Sequence, residues 1–178
     1  MVAPGLRELS FALAALALAE SAASCAKTPE ERRPLVSVPS PTPQKIVRID
    51  DAQTGRGMYR LHYHGRWEHV RGYRDGRDLG TSSRSPHFGD GISSTFEGRQ
   101  LRIYGVTGPN GGHGVVEVDG TTDTATINFY SVTKRTHVLV YQSPRLSPGL
   151  HVFALIASGS PRPHRAYVNI DDVEILKN

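Results

Sequence analysis

From Lys45 to the C-terminus the apolar positions come in short β-branched and aromatic runs, cut every few residues by Gly, Pro, Asn or Asp. Runs of that length with a period of two predict strands rather than helices. The expected strands are Lys45 to Asp50, Tyr59 to His64, Ile92 to Glu97, Gln100 to Val106, Gly114 to Val118, Thr124 to Tyr130, His137 to Gln142, Leu150 to Ala157 and Ala166 to Leu176. Alternation assigns a core face to several of them, through Leu101/Ile103, Ile127/Phe129, Val138/Val140 and Val152/Ala154/Ile156. Glu97-Gly98, Pro109-Asn110-Gly111, Asp119-Gly120 and Ser147-Pro148-Gly149 supply turns through a positive or a preset φ. No helical stripe of comparable length follows residue 25. The predicted fold is all-β: an antiparallel, jelly-roll-like β-sandwich of eight to nine strands over residues 45–178.

The N-terminal part reads differently. A short start containing Arg7 leads into an apolar run from Phe11 to Ala19, then into Ser21-Ala22-Ala23-Ser24 before Cys25. This is the layout of a signal peptide, expected over residues 1–24. The run covers about half of the roughly 20 residues that a membrane span needs, so a permanent span is not expected. Ala22-Ala23-Ser24-Cys25 resembles a bacterial lipobox, which implies lipidation of Cys25 and a membrane-anchored lipoprotein of the cell envelope. Soluble secretion is the alternative. Because Cys25 is the one cysteine, no intramolecular disulfide forms and the fold rests on core packing. Residues 25–44 hold five prolines and almost no apolar periodicity, and are read as an extended linker.

Composition narrows the class further. A chain of 178 residues suits one domain beyond the leader and linker, and 18 glycines with 12 prolines suit many turns. The net charge of +4 favours an anionic partner. Nucleic acid is not expected, since export removes that partner and paired aromatic RNA-binding motifs are missing.

Seven pieces of sequence stand in a recognisable order. They are Asp50-Asp51, Tyr63-His64-Gly65-Arg66-Trp67, Ser94-Thr95-Phe96-Glu97-Gly98, Leu101-Arg102-Ile103-Tyr104-Gly105, Val116-Glu117-Val118-Asp119-Gly120, Leu146-Ser147-Pro148-Gly149-Leu150-His151 and Tyr167-Val168-Asn169-Ile170-Asp171. Together they resemble the galactose-binding-domain-like β-sandwich modules found beside esterases and glycosidases and as free-standing surface proteins. The resemblance implies a non-catalytic, carbohydrate-binding domain. It assigns no binding residue.

The candidate site comes from the residues themselves. Between Arg56 and Arg84 lie seven arginines against three acids, and the stretch from Gly72 through the following serines is too polar and Gly-rich for a core strand. It is read as a surface loop running from Gly72 to His87, where recognition on a rigid sandwich concentrates. The expected site joins this loop to the Pro109–His113 turn. Arg74 and Arg77 hold an anionic group of a glycan or other envelope component, Tyr73 stacks on a ring, Asn110 and His113 give hydrogen bonds to hydroxyls, and His87 at the end of the loop is a further ligand-binding candidate. The bland alternative is a solvated, self-paired loop. His151 is read as structural, and Trp67 as core rather than a sugar platform.

A second function class rests on His62-x-His64 followed by Glu68, which resembles the first metal motif of cupin enzymes. The flanking glycines are out of register, with Arg56 and Asp75 at the expected positions. There is no G-x-S-x-G elbow, no H-E-x-x-H and no phosphate loop, so no catalytic residue is assigned. No cofactor is expected, and a structural Ca²⁺ stays open.

Overall fold

The structure, a computed structural model, describes residues 44–122, 126–159 and 166–177. The expected signal peptide, Cys25 and the proline-rich segment through Pro43 lie outside the described residues, as do Thr124 and Ala125 of one expected strand. Every described residue belongs to one unit, Pro41–Asn178.

Two six-stranded sheets face each other. The strands in chain order are β1 (Ile46–Asp50), β2 (His62–His64), β3 (Glu68–Val70), β4 (Ser82–Ser85), β5 (Gly91–Glu97), β6 (Gln100–Thr107), β7 (His113–Val118), β8 (Thr121–Thr122), β9 (Ile127–Asn128), β10 (Arg135–Gln142), β11 (Leu150–Gly159) and β12 (Val168–Leu176). One sheet runs β10-β6-β12-β4-β3, with β1 also on β12; the other runs β2-β5-β11-β7-β8, with β9 also on β7. All strand pairs are antiparallel. The sandwich is therefore as predicted, while its twelve strands exceed the expected eight to nine. The surplus lies in strands of two to four residues, β3, β4 and β8, too short to show a period.

Alternation places the core. Ile92 and Phe96 on β5, Leu101 and Ile103 on β6, Phe153 and Leu155 on β11, and Ile170 on β12 are all fully buried between the sheets. Burying each such side chain stabilises the fold by roughly 1.5–3 kcal/mol before ordering costs. The expected inward face of β11 is corrected: Val152 is 48% exposed, and Phe153, Leu155 and Ala157 point inward instead. Both parities of that strand are apolar, so its period is silent, and the bulkier Phe/Leu face takes the core.

A second correction concerns the serine-rich end of the expected loop. Ser82, Ser83 and Ser85 are fully buried in β4, which lies between β3 and β12. Their hydroxyls make burial tolerable. Ser82 accepts from the Arg77 guanidinium at 2.9 Å, Ser83 donates to the Asp51 carboxylate and Ser85 donates to Asp90. The turn at Asp119-Gly120 matches its prediction, with φ of 54° and 74° closing the β7–β8 hairpin.

Candidate ligand-binding site

Antiparallel pairing brings several links to one end of the sandwich. The C-terminal ends of β4, β6 and β11 lie with the N-terminal ends of β5, β7, β10 and β12. The β6–β7 turn is clamped there by backbone bonds. The Tyr167 N–H donates to the Asn110 carbonyl at 2.8 Å, and the Gly112 N–H to the Tyr167 carbonyl at 2.9 Å. Gly111 is required for this approach, since a Cβ on it would stand 1.8 Å from the Phe129 carbonyl oxygen.

Under this turn lies a cavity of about 160 Å³ lined by Arg84, Thr107, Asn110, Lys134, Tyr167 and Asn169 among others. The Arg84 guanidinium sits 4.8 Å from the centre of the Tyr167 ring and donates to Glu68 at 2.8 Å. Asn169 Oδ1 is buried and has no hydrogen-bond partner. An unpaired buried acceptor is costly, so it is a natural partner for a ligand hydroxyl or amide.

The arginine-rich loop meets the same wall through Lys134. The Lys134 ammonium lies 3.1 Å from Asp75 Oδ2 and 5.2 Å from the centre of the Tyr73 ring. Arg77 is buried, stacked 3.4 Å over Tyr73, with its guanidinium 3.2 Å from Asp75 and bonded to Ser82. Tyr73 and Arg77 thus hold the loop together. Arg74 is exposed and makes no ion pair among the described residues.

Of the sequence-predicted residues, Asn110 lines the cavity, and Tyr73 and Arg77 stand one layer behind Lys134. His87 and His113 do not line it. His87 is exposed beside Phe88, whose ring lies against Gly159, the partner of His113 across β11 and β7. The sequence reading missed Arg84, Lys134, Tyr167 and Asn169 as cavity residues. It also missed Phe88, which is 81% exposed. A phenylalanine inside Pro86-His87-Phe88-Gly89 has no strand to bury it, and that was the available signal.

The cupin-like triad does not assemble. His62 and His64 share a face of β2, their ring centres 4.3 Å apart, but Glu68 belongs to the opposite sheet and is taken by Arg84. Among the described residues, the group that brings three metal-ligating atoms together is His137, Asp171 and Asp172. Burial pushes the Asp171 carboxyl up to about 6 and Asp172 higher still, against the pull of His137 on both.

No protein-family model matches the chain, and no curated protein matches it. Solved structures do. A family 35 carbohydrate-binding module from Clostridium thermocellum superposes with a TM-score of 0.52 at 10% identity, over 75% of this chain and 99% of that one. The Agl-KA catalytic domain gives 0.51 at 13% identity over 75% of this chain, and a Paenibacillus xanthan lyase 0.50 at 14% over 79%. This chain spans only 28% and 14% of those two. At such identities the likeness shows the fold alone: a two-sheet antiparallel β-sandwich of the kind that carbohydrate-binding module has.

Proposed function

We propose that the chain is a non-catalytic carbohydrate-binding module, exported, held at the membrane by a lipid on Cys25, and directed at an anionic glycan of the cell envelope. The observation that carries this reading is the cavity at the loop end. It combines a cation stacked on an aromatic ring, an amide, an ammonium group and one orphaned buried acceptor, the polar mixture that fixes a sugar ring with a carboxylate or sulfate. The comparisons support a module because the likeness covers nearly all of a free binding module and a minor part of two enzyme chains. Fold alone does not assign a ligand.

Calorimetric titration with uronate-rich and neutral polysaccharides tests the reading. Binding of the acidic glycan, weakened roughly tenfold or more by Asn110→Ala or Tyr167→Ala, is expected. Equal failure of both polysaccharides at millimolar saccharide would remove it. The anchor is tested separately, by mass spectrometry of the mature N-terminus: a diacylated Cys25 is expected, with Cys25→Ser released from membranes.

A further inference from the structure

Two β-bulges face each other across β6. On β12 the register against β6 shifts between Ile170 and Asp172, and on β10 it shifts between Arg135 and Val138. In a regular strand Asp171 and Asp172 would point to opposite faces. The bulge lets both carboxylates reach one imidazole: His137 Nδ1 lies 3.2 Å from Asp171 Oδ2 and 3.1 Å from Asp172 Oδ1. His137 is itself held at φ 51°, in the left-handed region that a non-glycine residue adopts at a cost. Its ring lies flat on Tyr104, with centres 4.5 Å apart and planes 6° apart.

Both aspartates are fully buried, and neither oxygen of Asp172 has a hydrogen bond. Arg48 Nε stands 3.3 Å from Asp172 Oδ2, but without hydrogen-bond geometry. The Arg48 charge is already met by Glu174 at 2.7 Å and Asp78 at 3.4 Å. Asp171 Oδ1 is occupied by the Asp78 backbone N–H at 2.9 Å, which leaves Oδ2 facing His137. Two buried carboxylates and one imidazole therefore converge on one point, and a divalent ion there would supply the positive charge that lets both carboxylates ionise side by side.

We propose that His137, Asp171 and Asp172 form a binding site for a divalent transition-metal ion such as Zn²⁺. Ligand atoms around a tetrahedral ion with bonds of about 2.1 Å stand about 3.4 Å apart, near the separations on the page. The three ligand atoms lie within 4.8 Å of one another. The imidazole selects against Ca²⁺ and Mg²⁺, which prefer oxygen shells. A bound ion would tie β10 to β12 across β6 and complete the shell with solvent on the partly exposed His137 side.

The test uses the full chain carrying Cys25→Ser, which removes the one thiol, after dialysis against a chelator. Titration with ZnCl₂ is expected to give one tight equivalent per chain, a rise in Tm, and no competition from excess CaCl₂. Co²⁺ is expected to give the visible absorption of a low-coordinate nitrogen/oxygen site. His137→Asn tolerates the left-handed backbone and removes the imidazole, so it should keep the fold and weaken Zn²⁺ roughly 100-fold. Asp172→Asn should do the same, and His62→Ala should change nothing. Binding no tighter than millimolar, or binding that survives in His137→Asn, overturns the proposal; Zn²⁺ lost in His62→Ala instead would move the ion to the other histidine pair and equally overturn it.

Discussion

His151 Nδ1 lies 2.7 Å from Asp119 Oδ2, which joins the start of β11 to the β7–β8 turn. The other ring nitrogen reaches the Ser147 carbonyl at 2.9 Å, so a buried imidazole is satisfied at both ends. Burial works against a charge on His151, yet the Asp119 bond, the Ser147 carbonyl and the Asp119 charge outweigh it and raise its pKa. The His151 bond, helped by the Val152 N–H, lowers that of Asp119.

A raised histidine pKa contributes stability that is full below its unfolded value of about 6.5 and is lost as pH rises through the folded value. A lowered aspartate pKa contributes above its unfolded value of about 3.9 and is lost as pH falls through the folded one. The pair therefore stabilises most between those limits. Asp119→Asn keeps the left-handed turn and removes the charge. Its Tm deficit, a few degrees, is expected to be largest near pH 5–6 and to shrink toward pH 9 and pH 3. A deficit independent of pH would count against the ion pair.

The two faces of β11 give a second expectation. Phe153→Ala empties a fully buried site between the sheets and should cost about 3–5 kcal/mol, whereas Val152→Ala, on the exposed face, should stay near 0.5 kcal/mol. Urea unfolding of the two variants decides which parity is inward.

What the sequence revealed follows from where its period was clear. Leu101/Ile103 and Ile127/Phe129 announced their faces, and all four are buried. On β11 both parities are apolar, so size rather than pattern chose the face. β4 was illegible for the opposite reason: Ser82-Ser83-Arg84-Ser85 looks like loop because its burial depends on hydroxyl partners, Arg77, Asp51 and Asp90, that no period along the strand announces. The loop-end cavity was half legible. The Pro109–Gly111 turn marked one wall, but Arg84, Lys134, Tyr167 and Asn169 come from β4, the β9–β10 link and the start of β12, and only pairing unites them. The His137 cluster was hidden because bulges cancel the alternation on which strand reading rests.

Ser83 tests the buried polar strand. Its hydroxyl donates to the Asp51 carboxylate, which Thr81 also serves, and burial raises the Asp51 pKa against those bonds. Ser83→Ala leaves a buried carboxylate short of a donor and should cost about 1.5–3 kcal/mol by chemical denaturation. Ser131→Ala, in the β9–β10 link, serves as the comparison and should cost far less. Equal losses would mean that the β4 hydroxyls contribute little to its burial.

The arginine-rich loop separates two roles that the sequence joined. Arg77 is buried, stacked on Tyr73 and bonded to Ser82, so Arg77→Ala should destabilise the domain by on the order of 2 kcal/mol. Any loss of glycan binding in that variant would follow from a loosened loop. Arg74 is exposed, so Arg74→Ala should leave Tm unchanged. If the ligand is an anionic glycan at the loop end, Lys134→Ala and Arg74→Ala should both weaken it, Lys134 more because it lines the cavity. Arg102→Ala, whose guanidinium bonds Gln142 on β10, should not. Raising the salt concentration should weaken wild-type binding, because exposed charges are screened within about 8 Å at physiological ionic strength, and should matter less in the Arg74/Lys134 double variant. A glycan bound equally well by wild type and double variant at every salt concentration would place recognition elsewhere, with the exposed Phe88 beside His87 the next surface to probe.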